Sequence, residues 1–363
     1  MFARSPEPGG FGDLLSFDDV DRILSTMSLR TPNFRLVKAG ERIPESAYTR
    51  SGRTGSKPVD GMADPARIFE LFRRGATIVL QGLHRYWEPV TVFVRELELE
   101  LGHPCQVNAY VTPPGAQGLE LHSDPHDVFV LQAFGSKRWH VHAAPGEPPR
   151  DPIEASVAPG DAIYMPKGTP HAASTQETLS GHLTVGVHVA TWRDAIGAAW
   201  RRAAEGSSLD EPVPAGWHRD PDAFERELRE RIGRAAQALG AIDAREIAEA
   251  RVEHFLTHRG PLVRGVLSEQ LASGAIDDGT IVRRRQGSVC ELRRTGDSLA
   301  ILLGDRRIEM PGWLEPAMRR IAATERFAVG ELRDDVRDAE SRAVLVRRLV
   351  REGLLTLEQP PRG

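Results

Sequence analysis

The chain of 363 residues has little of several features that would place it in a specialised class of protein. It contains only two cysteines, Cys105 and Cys290, without a CxxC spacing; this excludes a disulfide framework and a zinc knuckle and favours a reducing, cytoplasmic setting. No apolar run approaches the roughly 18–20 residues that a membrane span needs. The N-terminus lacks the positive and then apolar pattern of a signal peptide. We therefore expect no association with a membrane.

The chain also has no large excess of positive or negative charge. The chain carries 47 basic and 51 acidic residues, a net charge of −4, and so shows no sign of a dedicated nucleic-acid binder. An apolar fraction of 40% and a charged fraction of 27% are typical of a soluble globular protein. Because 363 residues exceed one ordinary core, we expect two or three domains.

The first block, residues 1–204, is rich in short predicted strands. The strings CQVNAYVT, DVFVLQAF, KRWHVHA, DAIYMP and GHLTVGVHVAT follow one another, with Pro, Gly and Asp clusters between them. Regular short strands with turn signals are typical of a β-sandwich or barrel rather than a parallel α/β sheet. A capping box, Ser16 with Asp19, and a stretch over 88–101 that stops at Gly102 predict helices beside them.

The remaining residues divide into two smaller blocks. Residues 205–279 are predicted to be helical, and they are short of a core of their own, so packing on a partner subunit in a homodimer is plausible on physical grounds. Residues 280–363 begin with strands, continue with three helices and end with a short strand, which is a winged-helix pattern. The three helices are predicted over 313–324, 329–337 and 339–352.

One strand pair, LHSDPHDVFVLQAFGSKRWHVH at residues 121–142, carries many groups that are costly to bury. Residues two apart in a strand point to the same side, so His122 and Asp124 present an imidazole and a carboxylate together. Two histidines and one carboxylate are the ligand set of an Fe(II) that must leave positions open for a co-substrate and oxygen. The best candidate for the third ligand is His171, in GDAIYMPKGTPH, where prolines stiffen the loop. The pattern predicts an iron site, with a polar sheet edge as the alternative.

Other histidines compete for this role. His140 and His142 also lie two residues apart, but the alternate residues Lys137, Trp139 and Val141 share the opposite face. Two bulky apolar groups mark that opposite face as inward, which leaves the two histidines towards solvent. His126 and Asp127 follow Pro125 and are more typical of a turn than of a site, whereas His182 and His188 share a face that lines a cavity or meets solvent.

The same alternation places the Lys137 ammonium inside, beside Trp139. A buried ammonium without a partner is costly, and no nearby acid in the sequence obviously pairs with it. A small carboxylate such as 2-oxoglutarate would supply the missing charge; a lysine that reaches out to the sheet edge is the alternative. Asn108 and Tyr110 share a face opposite the apolar residues of their strand, so they are predicted to line the same site.

Longer strings carry a family resemblance. NAYVTPPGAQGLELHSDPHDVFVLQAFGSKRWHVH, followed by GDAIYMPKGTPHAAST and HLTV, resembles the JmjC-type ribosomal oxygenases, which are 2-oxoglutarate- and Fe(II)-dependent protein hydroxylases of the cupin superfamily. The resemblance implies an α+β chain in which a double-stranded β-helix (cupin/JmjC) domain precedes a helical dimerisation domain and a C-terminal winged helix. These three domains correspond to residues 1–204, 205–279 and 280–363.

The resemblance also assigns site residues. It implies the same three iron ligands as the spacing does, and it places Lys137 on the residue that pairs with the far carboxylate of 2-oxoglutarate. Asn108 and Tyr110 fall where the family contacts co-substrate and substrate. Gly186 departs from the pattern, because a hydroxyl residue is common near this position, and Thr184 is a candidate substitute for that contact.

The implied activity is hydroxylation of an Arg or His side chain of a ribosomal protein, coupled to oxidative decarboxylation of 2-oxoglutarate. One alternative is the same iron chemistry on another protein, a peptide or a free amino acid. A second is a non-catalytic regulator that binds DNA through the winged helix, since the predicted helix over 339–352 carries several arginines. Whether the C-terminal block contacts nucleic acid is left open.

Overall fold

The computed structural model describes residues 1–4, 9–117, 119–175, 177–206, 208–262 and 264–358. The chain folds as two compact units, residues 1–189 and 190–363. The division into three domains stays a prediction, and the last five residues of the third, 359–363, lie outside the described residues. No helix in the described ranges is both long and apolar enough to cross a bilayer.

The first unit is built mainly from strands. Its described α-helices are α1 (Phe17–Thr26), α2 (Pro65–Arg73) and α3 (Glu88–Leu101). Its described strands are β1 (Phe2–Arg4), β2 (Phe34–Lys38), β3 (Glu41–Arg42), β4 (Thr49–Thr54), β5 (Lys57–Ala63), β6 (Thr77–Leu80), β7 (Cys105–Thr112), β8 (Asp127–Gly135), β9 (Lys137–Val141), β10 (Ile153–Val157), β11 (Asp161–Met165), β12 (His171–Ser174) and β13 (Ser180–Val187).

Two antiparallel sheets enclose the interior of this unit. The larger has the strand order β1-β11-β8-β13-β7-β6-β2-β3, and the smaller has the order β10-β9-β12. Val128 and Val130 of the larger sheet share one apolar cluster with Trp139 and Val141 of the smaller, so the two sheets pack face to face. The expectation of a sandwich or barrel of short strands is confirmed.

Alternation along β7 separates the two faces of the larger sheet. Val107 and Val111 are buried in the main core with residues of α1, α2 and α3. Asn108 and Tyr110 are only partly buried and point to the other face, towards the smaller sheet. The predicted division of this strand into an apolar and a polar face is confirmed.

Local sequence signals fix the helices of this unit. The Ser16 hydroxyl accepts a hydrogen bond from the Asp19 N–H, and the Asp19 carboxylate accepts one from the Ser16 N–H, which completes the predicted capping box. Gly102 ends α3 in the left-handed region at φ 68°, where a residue with a Cβ would be strained. Both predicted helix boundaries are therefore confirmed.

The second unit combines helices with two small sheets, β18-β14-β19 and β15-β16-β17. Its described α-helices are α4 (Trp192–Ala204), α5 (Pro221–Gly240), α6 (Ala244–Thr257), α7 (Val266–Ala272), α8 (Glu315–Ala323) and α9 (Ala339–Arg351). Its described strands are β14 (Ile281–Arg284), β15 (Glu291–Thr295), β16 (Ser298–Leu302), β17 (Arg307–Pro311), β18 (Arg326–Ala328) and β19 (Leu355–Leu357).

One predicted helix of this unit is wrong. The segment predicted as a helix over 329–337 is a short 3₁₀ helix, Val329–Asp334. Gly330 donates its N–H to the Asp278 carbonyl at 2.9 Å, and a Cβ on Gly330 would lie 3.0 Å from that oxygen. This close approach holds the 3₁₀ segment against the backbone at Asp278. Local helix propensity does not encode such a contact.

Candidate metal and co-substrate site

The three predicted metal ligands meet on the interior side of the two sheets. One possible ligand atom from each of His122, Asp124 and His171 lies within 4.8 Å of the others. His122 and His171 form an isolated antiparallel bridge, with N–H···O distances of 3.1 and 2.8 Å in the two directions. The His171 Nε2 lies 3.6 Å from the Asp124 Oδ2. No second such group of metal-ligating side chains occurs in the described part of the chain.

Backbone carbonyls hold the other nitrogen of each ring. The His122 Nδ1 lies 2.8 Å from the Glu120 carbonyl, and the His171 Nδ1 lies 2.9 Å from the Thr169 carbonyl. Each ring therefore carries its proton on Nδ1, which leaves the Nε2 lone pair free for a metal. Burial lowers the pKa of His171 and so favours the neutral, ligating form.

Hydrogen bonds tie together the two loops that carry the ligands. The Asp124 carbonyl accepts from the Gly168 N–H at 2.9 Å. The Asp127 carboxylate accepts from the Tyr164 hydroxyl at 2.7 Å and from the Lys167 N–H at 2.9 Å. These contacts fix the loop before His171 against the segment that bears Asp124. Asp127 is thus a residue that supports the loop.

Lys137 is buried at the closed end of the same interior, with 4% of its surface exposed. Its Nζ donates to the Thr112 Oγ1 at 3.3 Å, and the Thr112 hydroxyl is 3.0 Å from that of Thr77. Within the described residues no carboxylate pairs with this ammonium, and burial lowers the pKa of Lys137 to about 7. The inward orientation that alternation predicted is confirmed.

Aromatic rings fill the space between Lys137 and the metal ligands. His182 stacks on Tyr110 with ring centroids 5.2 Å apart, and Trp139 meets His182 edge-on at 5.4 Å. Burial and the neighbouring Lys137 lower the pKa of His182 well below its usual value, so this imidazole is neutral. His182, one of the positions left open by the sequence, lies inside the cavity.

These side chains line one cavity, with about 450 Å³ of space that includes the part open to solvent. Thr184 lines it, as predicted, together with the three candidate ligands, Lys137 and Tyr110. Asn108 is not among the lining residues. Its Oδ1 accepts a hydrogen bond from the Gly82 N–H at 3.0 Å, and its side chain interacts with Tyr110. Direct contacts of Asn108, Tyr110 or Thr184 with a co-substrate stay predictions. The full lining comprises Thr77, Tyr110, Leu119, His122, Asp124, Val128, Val130, Lys137, Trp139, His171, Ala173, His182 and Thr184.

The rival pair His140 and His142 lies on the other face of β9. The burial of β9 alternates, with Lys137, Trp139 and Val141 buried and His140 only partly so. The His140 Nδ1 faces Glu154 at 3.5 Å. Neither histidine belongs to the described ligand cluster.

Three residues of the site have no signal in the sequence. Thr77 and Thr112 flank Lys137 from neighbouring strands, and Arg35 reaches the Tyr110 hydroxyl from β2, two strands away from β7. A threonine in a strand is ordinary, and a lone arginine is usually solvated, so only the pairing of distant strands brings these side chains together.

The residues present fit an Fe(II) ion and 2-oxoglutarate. Two imidazoles and one carboxylate are the ligand types that suit a ferrous ion with open positions. Lys137, an unpaired buried cation in the same cavity, suits the far carboxylate of a small dicarboxylic acid.

The chain matches known proteins in sequence. Residues 86–195 match the family model of the JmjC domain. Ribosomal oxygenase 1 of Gallus gallus is 28% identical over 285 residues, which cover 70% of this chain and 43% of that protein. The bifunctional lysine-specific demethylase and histidyl-hydroxylase NO66 of Drosophila persimilis is 32% identical over 201 residues, covering 51% of this chain and 28% of that protein. The chain thus spans less than half the length of these relatives.

A solved structure matches over nearly the whole chain. YcfD, a ribosomal oxygenase from Escherichia coli in complex with cobalt and 2-oxoglutarate, aligns with a TM-score of 0.54 and 19% identity over 95% of this chain and 91% of that chain. This likeness confirms the predicted fold class, an α+β chain with a cupin/JmjC double-stranded β-helix. The JmjC match over residues 86–195 and the sequence relatives show that this part of the chain is similar to the JmjC domain of ribosomal oxygenases.

Proposed function

We propose that this protein is a 2-oxoglutarate- and Fe(II)-dependent oxygenase that hydroxylates an Arg or His side chain of a ribosomal protein. The observation that carries the proposal is the presence of a His-Asp-His cluster and an unpaired buried lysine in one cavity. The names of the relatives, ribosomal oxygenase and histidyl-hydroxylase, support the substrate class. The same chemistry on another protein or a peptide is the alternative.

The chain's residues have separable tasks in this reaction. His122, Asp124 and His171 would hold the iron and leave its other positions open. When bound, iron and 2-oxoglutarate would supply the chemistry that activates O2, so that one oxygen atom enters a C–H bond of the substrate while the other enters succinate as 2-oxoglutarate loses CO2. Lys137 holds the far carboxylate of the co-substrate at the closed end of the cavity. Trp139 and the valines of β8 form an apolar wall that excludes water from the reacting groups.

The substrate can be found by mass spectrometry of ribosomal proteins from cells with and without the gene. We expect one protein to carry an additional mass of about 16 Da, one oxygen atom, only when the gene is present. Complementation with the Asp124→Ala variant should leave that protein unmodified, and the His140→Ala variant, whose imidazole lies on the outer face, should restore the modification. Identical spectra with and without the gene would exclude ribosomal proteins as substrates.

The second unit supports homodimer formation. On α4, Trp192, Ile196 and Trp200 recur every four residues with 84%, 57% and 40% of their surfaces exposed. On α5, Leu228 and Ile232 are exposed at the same spacing and line an apolar groove with about 790 Å³ of empty space. Contiguous exposed apolar side chains of this kind mark protein interfaces. We infer that a second copy of the chain covers this surface.

Negative charge introduced by substitution on the exposed apolar surface of α5 should separate the two subunits of the dimer. The double variant Leu228→Glu/Ile232→Glu introduces two carboxylates on each copy, four across a two-fold interface, so we expect the dissociation constant to rise more than about 100-fold. Light scattering coupled to size-exclusion chromatography gives the mass. Gln237→Glu, an added charge on the exposed opposite side of the helix, should remain dimeric. A double variant that stays dimeric at low concentration, or a monomeric native chain, would contradict this interface.

The arginines of α9 support a structural role in preference to nucleic-acid binding. Arg342 is buried, pairs with the Asp278 carboxylate at 2.5 Å and donates to the Val336 carbonyl at 2.7 Å. Arg348 faces Glu352 at 3.8 Å. A helix that reads DNA needs its cations directed to phosphates and bases, whereas Arg342 and Arg348 face acids of their own unit. We infer that the C-terminal region serves as a winged helix that contacts protein.

A further inference from the structure

The interior of the two sheets has a closed end and an open end. Along the inward face of β13, Ser180, His182 and Gly186 are buried, Thr184 is half-buried, and His188, directly after the strand, is exposed. On the neighbouring β7, Thr112 is buried, whereas the residues that pair with Thr184 and Gly186 are partly exposed. The cavity is therefore open at the end that lies away from Lys137, and a side chain of a protein substrate must enter there.

His126 occupies this open end in an unusual way. Its imidazole lies flat on Gly186, so that a Cβ at position 186 would be 2.6 Å from the ring. The His126 Nε2 lies 3.3 Å from the Gln106 Nε2, and the ring meets His188 edge-on with centroids 5.3 Å apart. The ring thus takes the volume that a side chain on β13 would fill.

The position of His126 in the chain relates it to the metal site. It follows Asp124 by two residues and precedes Val128, which lines the cavity, by two. Gly186 follows Thr184, another lining residue, by two positions on the same face, a distance of about 7 Å along a strand. His126 is not itself one of the side chains that line the cavity, and its imidazole lies next to Thr184 on the side of β13 away from Ser180 and His182.

We propose that His126 is a specificity-determining residue, whose imidazole, seated on Gly186 and hydrogen-bonded to Gln106, contacts the substrate side chain at the open end of the cavity. The proposal rests on the proposed function, because it assumes a protein side chain as substrate. Its contacts are polar: the His126 Nδ1 lies 3.3 Å from the Asp127 carbonyl, and with the ring proton on that nitrogen the Nε2 accepts from the Gln106 amide. Gly186 is required because only a residue without a side chain leaves room for the ring.

A double-mutant cycle tests this arrangement on the full chain. The probe is the pool of ribosomal proteins extracted from cells that lack the gene, and succinate formation that depends on this pool gives an apparent KM. We expect His126→Ala and Gly186→Ser each to raise the KM about tenfold, the first by removing the contact and the second by displacing the ring. The double variant should raise it by clearly less than the product of the two, because the serine no longer meets the imidazole.

Two further measurements separate substrate contact from a structural role. Calorimetry with Mn(II) in place of iron should give a dissociation constant for 2-oxoglutarate within twofold of the native value for all three variants. His140→Ala, a histidine on the outer face of β9, should leave the KM unchanged. A native KM in His126→Ala, or strictly multiplicative effects in the double variant, would overturn the proposal. If the native chain forms no succinate with this pool, the proposed function fails and this inference with it.

Discussion

Replacing Asp124 with Ala is expected to abolish turnover of 2-oxoglutarate while the chain remains folded. Its carboxylate is the only acid in the ligand cluster, and without it only two imidazoles remain for the metal. Losing residues that merely orient a ligand weakens metal sites 10- to 100-fold, so the loss of a ligand itself should reduce turnover more than about 100-fold. Succinate formation measured by NMR gives the rate, and calorimetry with Mn(II) gives the affinity for metal.

The fold of the Asp124→Ala variant should be close to native. The Asp124 carboxylate is half-buried and its contact with His171 is long, at 3.6 Å, whereas the backbone bond from Gly168 to the Asp124 carbonyl survives the substitution. We expect a melting temperature within a few degrees of the native one. His140→Ala is the matched control and should keep full turnover. Retained turnover in Asp124→Ala would refute the assignment of the metal site.

The sequence predicts the ligands of this site because their pattern is local. His122 and Asp124 lie two residues apart, and alternation along β9 is enough to direct Lys137 inwards and His140 outwards. The same reasoning places Tyr110 on the inward face of β7. For Lys137, His140 and Tyr110 a period of two residues in one strand carries the information, whereas His122 and Asp124 lie before β8, outside a regular strand.

The residues that sequence reasoning misses depend on strand order instead. Arg35 reaches Tyr110 because β2, β6 and β7 are neighbours, with Val79 paired to both residues across the sheet. Likewise, the imidazole of His126 covers Gly186 because β8 and β13 are paired, although sixty residues separate the two in the chain. Pairing between distant strands follows from packing of the whole domain, and no local pattern encodes it.

Substitution of Lys137 by Met should separate function from stability. A methionine of similar length keeps the packing of the closed end but cannot pair with a carboxylate, so we expect the affinity for 2-oxoglutarate to fall roughly 100-fold or more. The same variant should be more stable than the native chain without ligand, because it removes an unpaired ammonium from the interior. Lys57→Met, which removes an exposed lysine on the β4–β5 hairpin, is the control and should change neither quantity.

The pH dependence of the stability and of the affinity for 2-oxoglutarate tests the role of Lys137 most directly. Burial lowers the pKa of Lys137 from 10.5 to about 7, so between these values the unfolded chain binds a proton that the ligand-free folded chain does not. The free energy of unfolding should therefore rise with pH across this window, by up to roughly 5 kcal/mol at about 1.4 kcal/mol per pH unit, and Lys137→Met should lack this rise. Below pH 7 the ammonium is charged in both states and its full cost applies.

Binding of 2-oxoglutarate should show the opposite trend. If its carboxylate pairs with the Lys137 ammonium, binding above pH 7 takes up one proton, and the affinity should fall by up to about tenfold for each pH unit until Lys137 loses its proton in the complex as well. Calorimetry with Mn(II) in buffers of different ionisation enthalpy measures this proton uptake directly. An affinity of the native chain that does not change between pH 7 and 9, together with unaltered binding in Lys137→Met, would place the anchor for the far carboxylate on another residue.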